Sequence, residues 1–488
     1  MKKSKICLSV LAFVTSVLII ISCAINPVTG KRQLMLMSED QELQLGASYD
    51  PQVIATFGLY DNSTLNNFVQ SQGNQMGKIS HRPNVQYHVK VLDSPVVNAF
   101  AVPGGYIYLT RGILAQLNSE AELAGVIAHE MGHIAARHSA SQQTKQTLGQ
   151  LVLIGGMIAS KTVAQYADYA MQGMQLLFLK FSRDDEREAD RLGTMYSSIV
   201  GYDAHQMAEF FKVLYKMNLA SSQGGVPTFL STHPDPGDRY NYVNQRATAW
   251  QDSLKLKEYK VNRDAYLKLI NGIIYGEDPR QGYCEGTTFY HPEMKFKFTY
   301  PAGWQFQNSP MQVQMAPSDG SALVLFLLSG QKTLKAAADT AMAQYGLTLV
   351  SSKNVIVNTM PALATLSTQT SQDQSTGATS TNRILSYFIN YNNVIYVFHG
   401  VTADANFANL APAFESTMAS FAKLTDASKI NVTPNKIIVK PVTKAGTAAQ
   451  ALTAMGVTQD KLADIALLNN LELTDKVAAG KLVKVVGK

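Results

Sequence analysis

The chain has 488 residues, 46% of them hydrophobic and 16% charged. That is enough apolar material for several cores, and the composition is not that of a disordered chain. The formal charge is +6; of the 42 basic residues, Lys2, Lys3 and Lys5 lie in a leader expected to be removed, which leaves 39 against 36 acidic ones, with no basic cluster, and excludes a nucleic-acid footprint.

The three lysines lead into an apolar run over 6–21, broken only by Cys7 and small polar residues. This falls short of the ~20 residues of a membrane-spanning helix and fits the apolar part of a signal peptide. It ends in Ile20-Ile21-Ser22-Cys23, which resembles the lipobox of bacterial lipoproteins. The expectation is a lipoprotein signal peptide over 1–22 and a lipid on Cys23 that anchors the protein to a membrane. Ala24, being non-acidic, is compatible with sorting to the outer membrane, facing the periplasm. With Cys7 removed and Cys23 acylated, Cys284 has no partner; no motif surrounds it, and it reads as a small buried residue.

Further along, Ser38 and Gln41 form a capping box that opens a helix. A β-rich stretch follows over 87–109, with Gly104-Gly105 as a hairpin turn between extended segments. Ser119 and Glu122 form a second capping box, before a helix through Leu123, Val126, Ile127 and Ile134. Residues 148–180 are apolar, as core helices or as a membrane-facing surface. From about 280 the texture changes. Phe296, Phe298 and Tyr300 alternate with polar residues, 323–328 reads as a buried strand, and Asn392-Asn393 separates two strands as a hairpin. Residues 405–421 read as an amphipathic helix, 367–381 as an exposed polar loop, and 424–440 as a linker. The tail, 436–488, has strand–helix–helix–strand texture.

The chemistry centres on His129-Glu130-Met131-Gly132-His133. Residues four apart share a helix face, so both imidazoles can reach one metal ion, and Glu130 can reach a water beside it. This is the HExxH arrangement of zinc peptidases. A catalytic zinc needs a third protein ligand and an open position. The histidine pattern of metzincins fails, because positions 136 and 139 are Ala136 and Ser139 and His138 is out of register. His138 and Arg137 read as packing or hydrogen-bonding residues. Glu186 and Asp190, again four apart, supply an alternative: Glu186 as ligand and Asp190 orienting a ligand histidine from behind. Glu188 points away from Glu186.

These pieces, in this order, resemble the HtpX/CAAX-prenyl-protease family of gluzincins, in its soluble, lipidated, BepA-like and LoiP-like periplasmic members. The matching segments are Asn26-Pro27-Val28-Thr29-Gly30, the Asn98-Ala99-Phe100-Ala101-Val102-Pro103-Gly104-Gly105 stretch, the HExxH helix, Ser182-Arg183 through Glu186 to Asp190, Thr232-His233-Pro234, and Asp238-Arg239. The resemblance covers roughly residues 24–250. It implies one Zn2+ per chain on His129, His133 and Glu186, with Glu130 as the base that activates water. It implies that His233 is either a regulatory fourth ligand or a donor to the developing oxyanion. It also implies a substrate strand adding to an edge strand at Asn98, Ala99 and Phe100.

The expected fold is multidomain. A mainly α, zincin-like metalloprotease domain with a small β-hairpin or sheet spans 23–275, an α+β accessory domain spans 280–425, and a small βααβ-like module, weakly similar to LysM, spans 436–488. The expected function is a zinc endopeptidase of unfolded or misassembled cell-envelope proteins, with polypeptide substrates and an envelope-assembly partner on the C-terminal domains. The competing expectation is a chaperone-like zinc lipoprotein that binds assembly intermediates with little proteolysis.

Overall fold

A computed structural model describes residues 23–153, 181–220, 228–233, 238–372 and 379–488. The expected signal peptide and most of the apolar stretch 148–180 lie outside the described residues. Strands β1 (Cys23–Ile25) and β2 (Arg32–Leu34) pair antiparallel around the turn 26–30. Asn26 makes that turn by accepting the N–H groups of Val28 (2.8 Å) and Thr29 (3.1 Å) on its side-chain oxygen. Helix α1 (Glu39–Phe57) opens on the Ser38–Gln41 capping box, and α2 (Ser63–Gly77) follows.

Strands β3 (His88–Leu92), β4 (Ala99–Val102) and β5 (Tyr106–Thr110) form one sheet in the order β3-β5-β4. The hairpin read from the sequence is the antiparallel β4–β5 pair; β3 adds to it in parallel, which leaves β4 at an edge. Gly104 and Gly105 turn the hairpin at φ +83° and +99°, and a side chain on Gly105 would stand 2.3 Å from the Gln86 carbonyl oxygen.

Short helix α3 (Arg111–Gln116) leads to α4 (Glu120–Ala135), which carries the HExxH sequence. The capping box expected there is half made. Ser119 accepts the Glu122 N–H, but the Glu122 carboxylate reaches one residue further back, to the Asn118 N–H at 2.6 Å. Every residue of α4 from Ala121 onward is buried. Helices α5 (His138–Leu153), α6 (Arg183–Ile199), α7 (His205–Ala220), α8 (Thr228–Thr232), α9 (Arg239–Leu254) and α10 (Arg263–Ile270) complete this region. Helix α6 crosses α4 closely because Gly132 has no side chain: a Cβ there would lie 3.1 Å from the Ala189 backbone.

Beyond residue 280, β6 (Tyr283–Glu285), β7 (Thr288–His291) and β8 (Phe296–Thr299) form a small sheet completed by Ala422–Lys423. Against it stands a seven-stranded antiparallel sheet, β12-β13-β14-β15-β11-β10-β9. Its strands are β9 (Gln305–Asn308), β10 (Gln312–Ala316), β11 (Ala322–Ser329), β12 (Thr348–Val357), β13 (Met360–Gln372), β14 (Thr379–Tyr391) and β15 (Val394–Ala403). Helices α11 (Leu334–Tyr345) and α12 (Asp404–Ala419) cover it. Asn392 and Asn393, both at positive φ, turn β14 into β15.

Two sequence expectations fail in this region. The polar tract 367–381 is no loop at its ends: β13 runs to Gln372 and β14 starts at Thr379, with Thr370 facing Thr381 and Ser371 facing Ser380 across the strands. Threonine and serine alternate there as cross-strand partners, which polarity alone does not reveal. Cys284 is exposed, not buried, because it lies on an edge strand.

The C-terminal part pairs β16 (Lys436–Pro441) with β17 (Leu482–Gly487) and carries helices α13 (Ala448–Ala454) and α14 (Leu462–Leu468). Ile437, Leu452, Ile465, Val483 and Val485 belong to the same apolar cluster as Ile127 and Met131 of α4. Lys484 is fully buried and donates to the carbonyl oxygens of Ala115 (2.8 Å), Gln116 (3.1 Å) and Leu117 (2.9 Å), the unsatisfied end of α3.

Candidate active site

Helix α4 presents His129 and His133 on one face, with their Nε2 atoms 3.1 Å apart. Helix α6 starts at a capping box made by Ser182 and Asp185, and from its first turn sends Glu186 towards them. Its Oε1 lies 3.5 Å from His133 Nε2 and its Oε2 3.5 Å from His129 Nε2. His233, just past α8, completes the group: Nδ1 is 2.9 Å from Glu186 Oε1 and 3.4 Å from His129 Nε2. Phe229 stacks on the His233 ring at 4.5 Å. One ligand atom from each of the four residues lies within 4.8 Å of the others, and all four side chains are buried.

Glu130 stands beside the cluster. His233 Nε2 is 3.6 Å from its Oε1, yet both Glu130 oxygens and His233 Nε2 are buried without a hydrogen-bond partner among the described residues. A carboxylate left in that state is costly, and a cation with its water would satisfy it. Two imidazoles, a carboxylate and a further imidazole also match the donors zinc takes. The residues therefore fit a zinc ion.

The protein groups alone set opposed protonation states. Burial pushes His133 well below its ordinary pKa, against the pull of Glu186. Burial would raise Glu186, but the charges of His233 and Arg239 outweigh it and hold the carboxyl well below its usual range. A neutral imidazole beside an ionised carboxylate is what a metal requires. Burial pushes Glu130 up, with His233 and His129 opposing in part. For His233, burial pulls down while Glu186 and Glu130 pull up and prevail.

Asp190 sits one turn after Glu186, with Oδ1 3.0 Å from His129 Nδ1. Arg239, at the start of α9, grips Asp190 with two bonds of 2.8 Å and approaches Glu186 Oε2 at 3.1 Å, while its guanidinium lies 3.9 Å above the Phe211 ring. Arg239 stands in the Asp238-Arg239 segment, to which the sequence alone assigns no role. Nothing in local spacing links it to acids some fifty residues earlier.

Asn98, Ala99 and Phe100 lie at and within β4, beside α4. Asn98 Oδ1 is buried without a partner among the described residues. The Phe100 ring stacks on Tyr108 in a satellite core with Val53 and Leu92, and the Asn98 backbone N–H and C=O are both bonded to Thr110. The Val97 carbonyl already accepts the Phe229 N–H at 3.2 Å. Cys23 begins β1 opposite Leu34, remote in sequence from the cluster, yet the Asn26 side-chain amide donates to the Ala136 carbonyl (3.3 Å) at the end of α4. Glu188 turns away from the four donors, towards His138 and Arg191.

Residues 63–247 match the family model Peptidase family M48. The chain is 29% identical over 219 residues to the beta-barrel assembly-enhancing protease of Yersinia pestis, covering 43% of this chain and 45% of that protein. It is 29% identical over 221 residues to the protein of that name in Escherichia coli (strain K12), covering 43% and 45%. It is 33% identical over 184 residues to the mitochondrial metalloendopeptidase OMA1 of Arabidopsis thaliana, covering 36% and 35%. The aligned part thus spans less than half the length of these relatives. Among solved structures, cyanobacterial PsbP from Synechocystis sp. PCC 6803 overlaps 29% of this chain and 98% of its own, at 13% identity and a TM-score of 0.23. Residues 63–247 thus resemble a peptidase family M48 domain, and a sheet-rich C-terminal region follows them.

Proposed function

We propose that this chain is a zinc endopeptidase that cleaves unfolded or misassembled proteins of the cell envelope. The observation that carries the reading is the buried convergence of His129, His133 and Glu186 beside a Glu130 carboxylate with no partner of its own. His129, His133 and Glu186 would hold the ion. Zinc, when bound, supplies Lewis acidity, acidifying water and polarising a carbonyl. Glu130 takes the proton of the attacking water and passes it to the departing amine nitrogen; its buried setting, which raises its proton affinity, favours the transfer. Asp190 holds His129 in orientation, and Arg239 holds Asp190. The substrate adds as an extended strand beside β4, the outer strand of its sheet, at Asn98, Ala99 and Phe100.

Cys23 carries a lipid in this reading, and the protein works from a membrane of the envelope, the outer membrane facing the periplasm. Among the described residues no helix is long and apolar enough to cross a membrane. Relatives named for β-barrel assembly support envelope proteins as the substrates.

A second reading is favoured by His233. With an ion bound, it would be a fourth protein donor and leave no open position, so the site would be closed. A chain held in that state would bind assembly intermediates with little hydrolysis. If His233 swings out, it is free to donate to the oxyanion instead.

Zinc content and casein cleavage, measured together on the mature protein and its Glu130→Gln variant, test both readings. Equal zinc with cleavage only in the parent supports the peptidase. Cleavage retained in Glu130→Gln overturns the assigned base, and absence of zinc from the parent overturns the metal site. Equal zinc with cleavage in neither favours the closed, chaperone-like state, and His233→Ala should then restore hydrolysis.

A further inference from the structure

Each imidazole in the cluster has a second ring nitrogen, and its partner decides which nitrogen carries the proton. For His129 the partner is Asp190, whose carboxylate lies against Nδ1. For His133 it is another histidine: His133 Nδ1 and His138 Nδ1 are 2.9 Å apart, a distance only a hydrogen bond permits. His138 Nε2 in turn lies 3.3 Å from Glu188 Oε2 and 3.7 Å from Asp185 Oδ1, and Arg191 holds the other Glu188 oxygen at 3.2 Å. His138 is buried, and Phe181 stacks on His133 at 4.0 Å, so neither ring is free to turn.

If His138 carries a single proton, one arrangement satisfies all these contacts. An ionised carboxylate only accepts, so the N–H of a neutral His138 is at Nε2, facing Glu188. Its Nδ1 is then a lone pair, and the proton between the two rings belongs to His133 Nδ1. His133 Nε2 is left bare, and it is the atom that faces His129 and Glu186. We propose that His138 and Glu188 are positioning residues for His133, fixing by this donor chain which of its nitrogens faces the metal.

The backbone is built to bring His138 there. Helix α4 ends at Ala135, and Arg137 adopts a left-handed conformation, φ +60°, which a non-glycine residue seldom takes. Its side chain is held in place by Glu42 (2.7 Å) and the Met37 carbonyl (3.0 Å). That single reversed residue folds His138 back against His133 rather than carrying it onward along the helix.

The proposal rests on the zinc site above, and its test is read as metal binding. Zinc dissociation constants are measured by chelator competition on the parent, His138→Leu, His138→Asn and Glu188→Leu, with melting of each zinc-free protein as a folding control. His138→Leu removes the acceptor and should weaken zinc about 10–100-fold. His138→Asn puts a carbonyl oxygen near the place of Nδ1 and should stay within about threefold of the parent, because it still accepts the His133 proton. Glu188→Leu, on the partly exposed side of the chain, should weaken zinc about tenfold while folding normally. In the zinc-free parent, ring-nitrogen NMR should find the His133 proton on Nδ1. A parent that binds no zinc would sink the metal site itself. Parental affinity in His138→Leu or in Glu188→Leu, His138→Asn as weak as leucine, or a His133 proton on Nε2, would each overturn the positioning role alone.

Discussion

The two regions that follow the M48-like domain stand in opposite relations to it. The sheet-rich unit from β6 to α12 encloses apolar clusters of its own, centred on Phe296, Phe298, Phe326 and Phe421 in one layer and on Phe388 and Val397 in another. The smaller part from β16 to β17 has no separate cluster; its apolar residues continue the core of the M48-like domain. The difference follows from size. About fifty residues bury too little of their own surface to stand alone, whereas a unit nearly three times longer can close a core. A neighbour in sequence can thus be independent, while a segment two hundred residues further on is part of the scaffold.

Calorimetry should show this as two transitions, which separate substitutions can move. The largest effect is expected from Phe298→Ala, which should lower the stability of the sheet unit by about 4 kcal/mol and leave zinc content and hydrolysis unchanged. A loss of zinc in that variant would break the comparison. Next is Lys484→Met, which strips three carbonyls of their buried donor. Burial pulls this lysine's pKa down and pushes that of its charge partner Glu122 up, so the pair is costly to split. The M48-like domain's transition should fall by about 3 kcal/mol, and the sheet unit's should not move. The smallest effect is on acidification. His399 is buried on β15 against Ser386 (2.7 Å), and burial pulls its pKa down to about 4. The folded unit refuses a proton that the unfolded chain takes up below about 6.5. Stability is therefore full above that pH and lost as the pH falls towards 4, by about 2 kcal/mol at pH 5. His399→Phe should flatten the slope of the sheet unit's transition alone.

How much of this was legible follows from where the partners lie. HExxH and the Glu186–Asp190 pair are visible because each is a one-turn relation within a helix, and a helix face is readable from spacing. The meeting of those two faces depends on a crossing that Gly132 permits, and the His138–Glu188 contact depends on the reversed Arg137; neither leaves a periodic trace. Arg239 escaped for the same reason: its partners come from another helix. In the sheet unit the strand alternation at Phe296 and Phe298 and the Asn392-Asn393 turn were readable, whereas the polar ends of β13 and β14 were not, since their signal is pairing between strands. The shared core of the C-terminal part was invisible too, because strand–helix–helix–strand texture is the same whether a module floats or docks.

The Lys484 contact also has a consequence in time. It joins residues 367 to 369 positions apart, so the end of α3 and the core beneath α4 stay unfinished until the final strand has been made and delivered. Contacts of such separation form last and slowly, after local helices and hairpins are in place. A chain that emerges from its N-terminus spends most of its synthesis with helix α4 incompletely packed. A chain assembled in that order completes the packing around the His129–Glu186 cluster only after β17 has been delivered, so the cluster is unfinished for most of its synthesis.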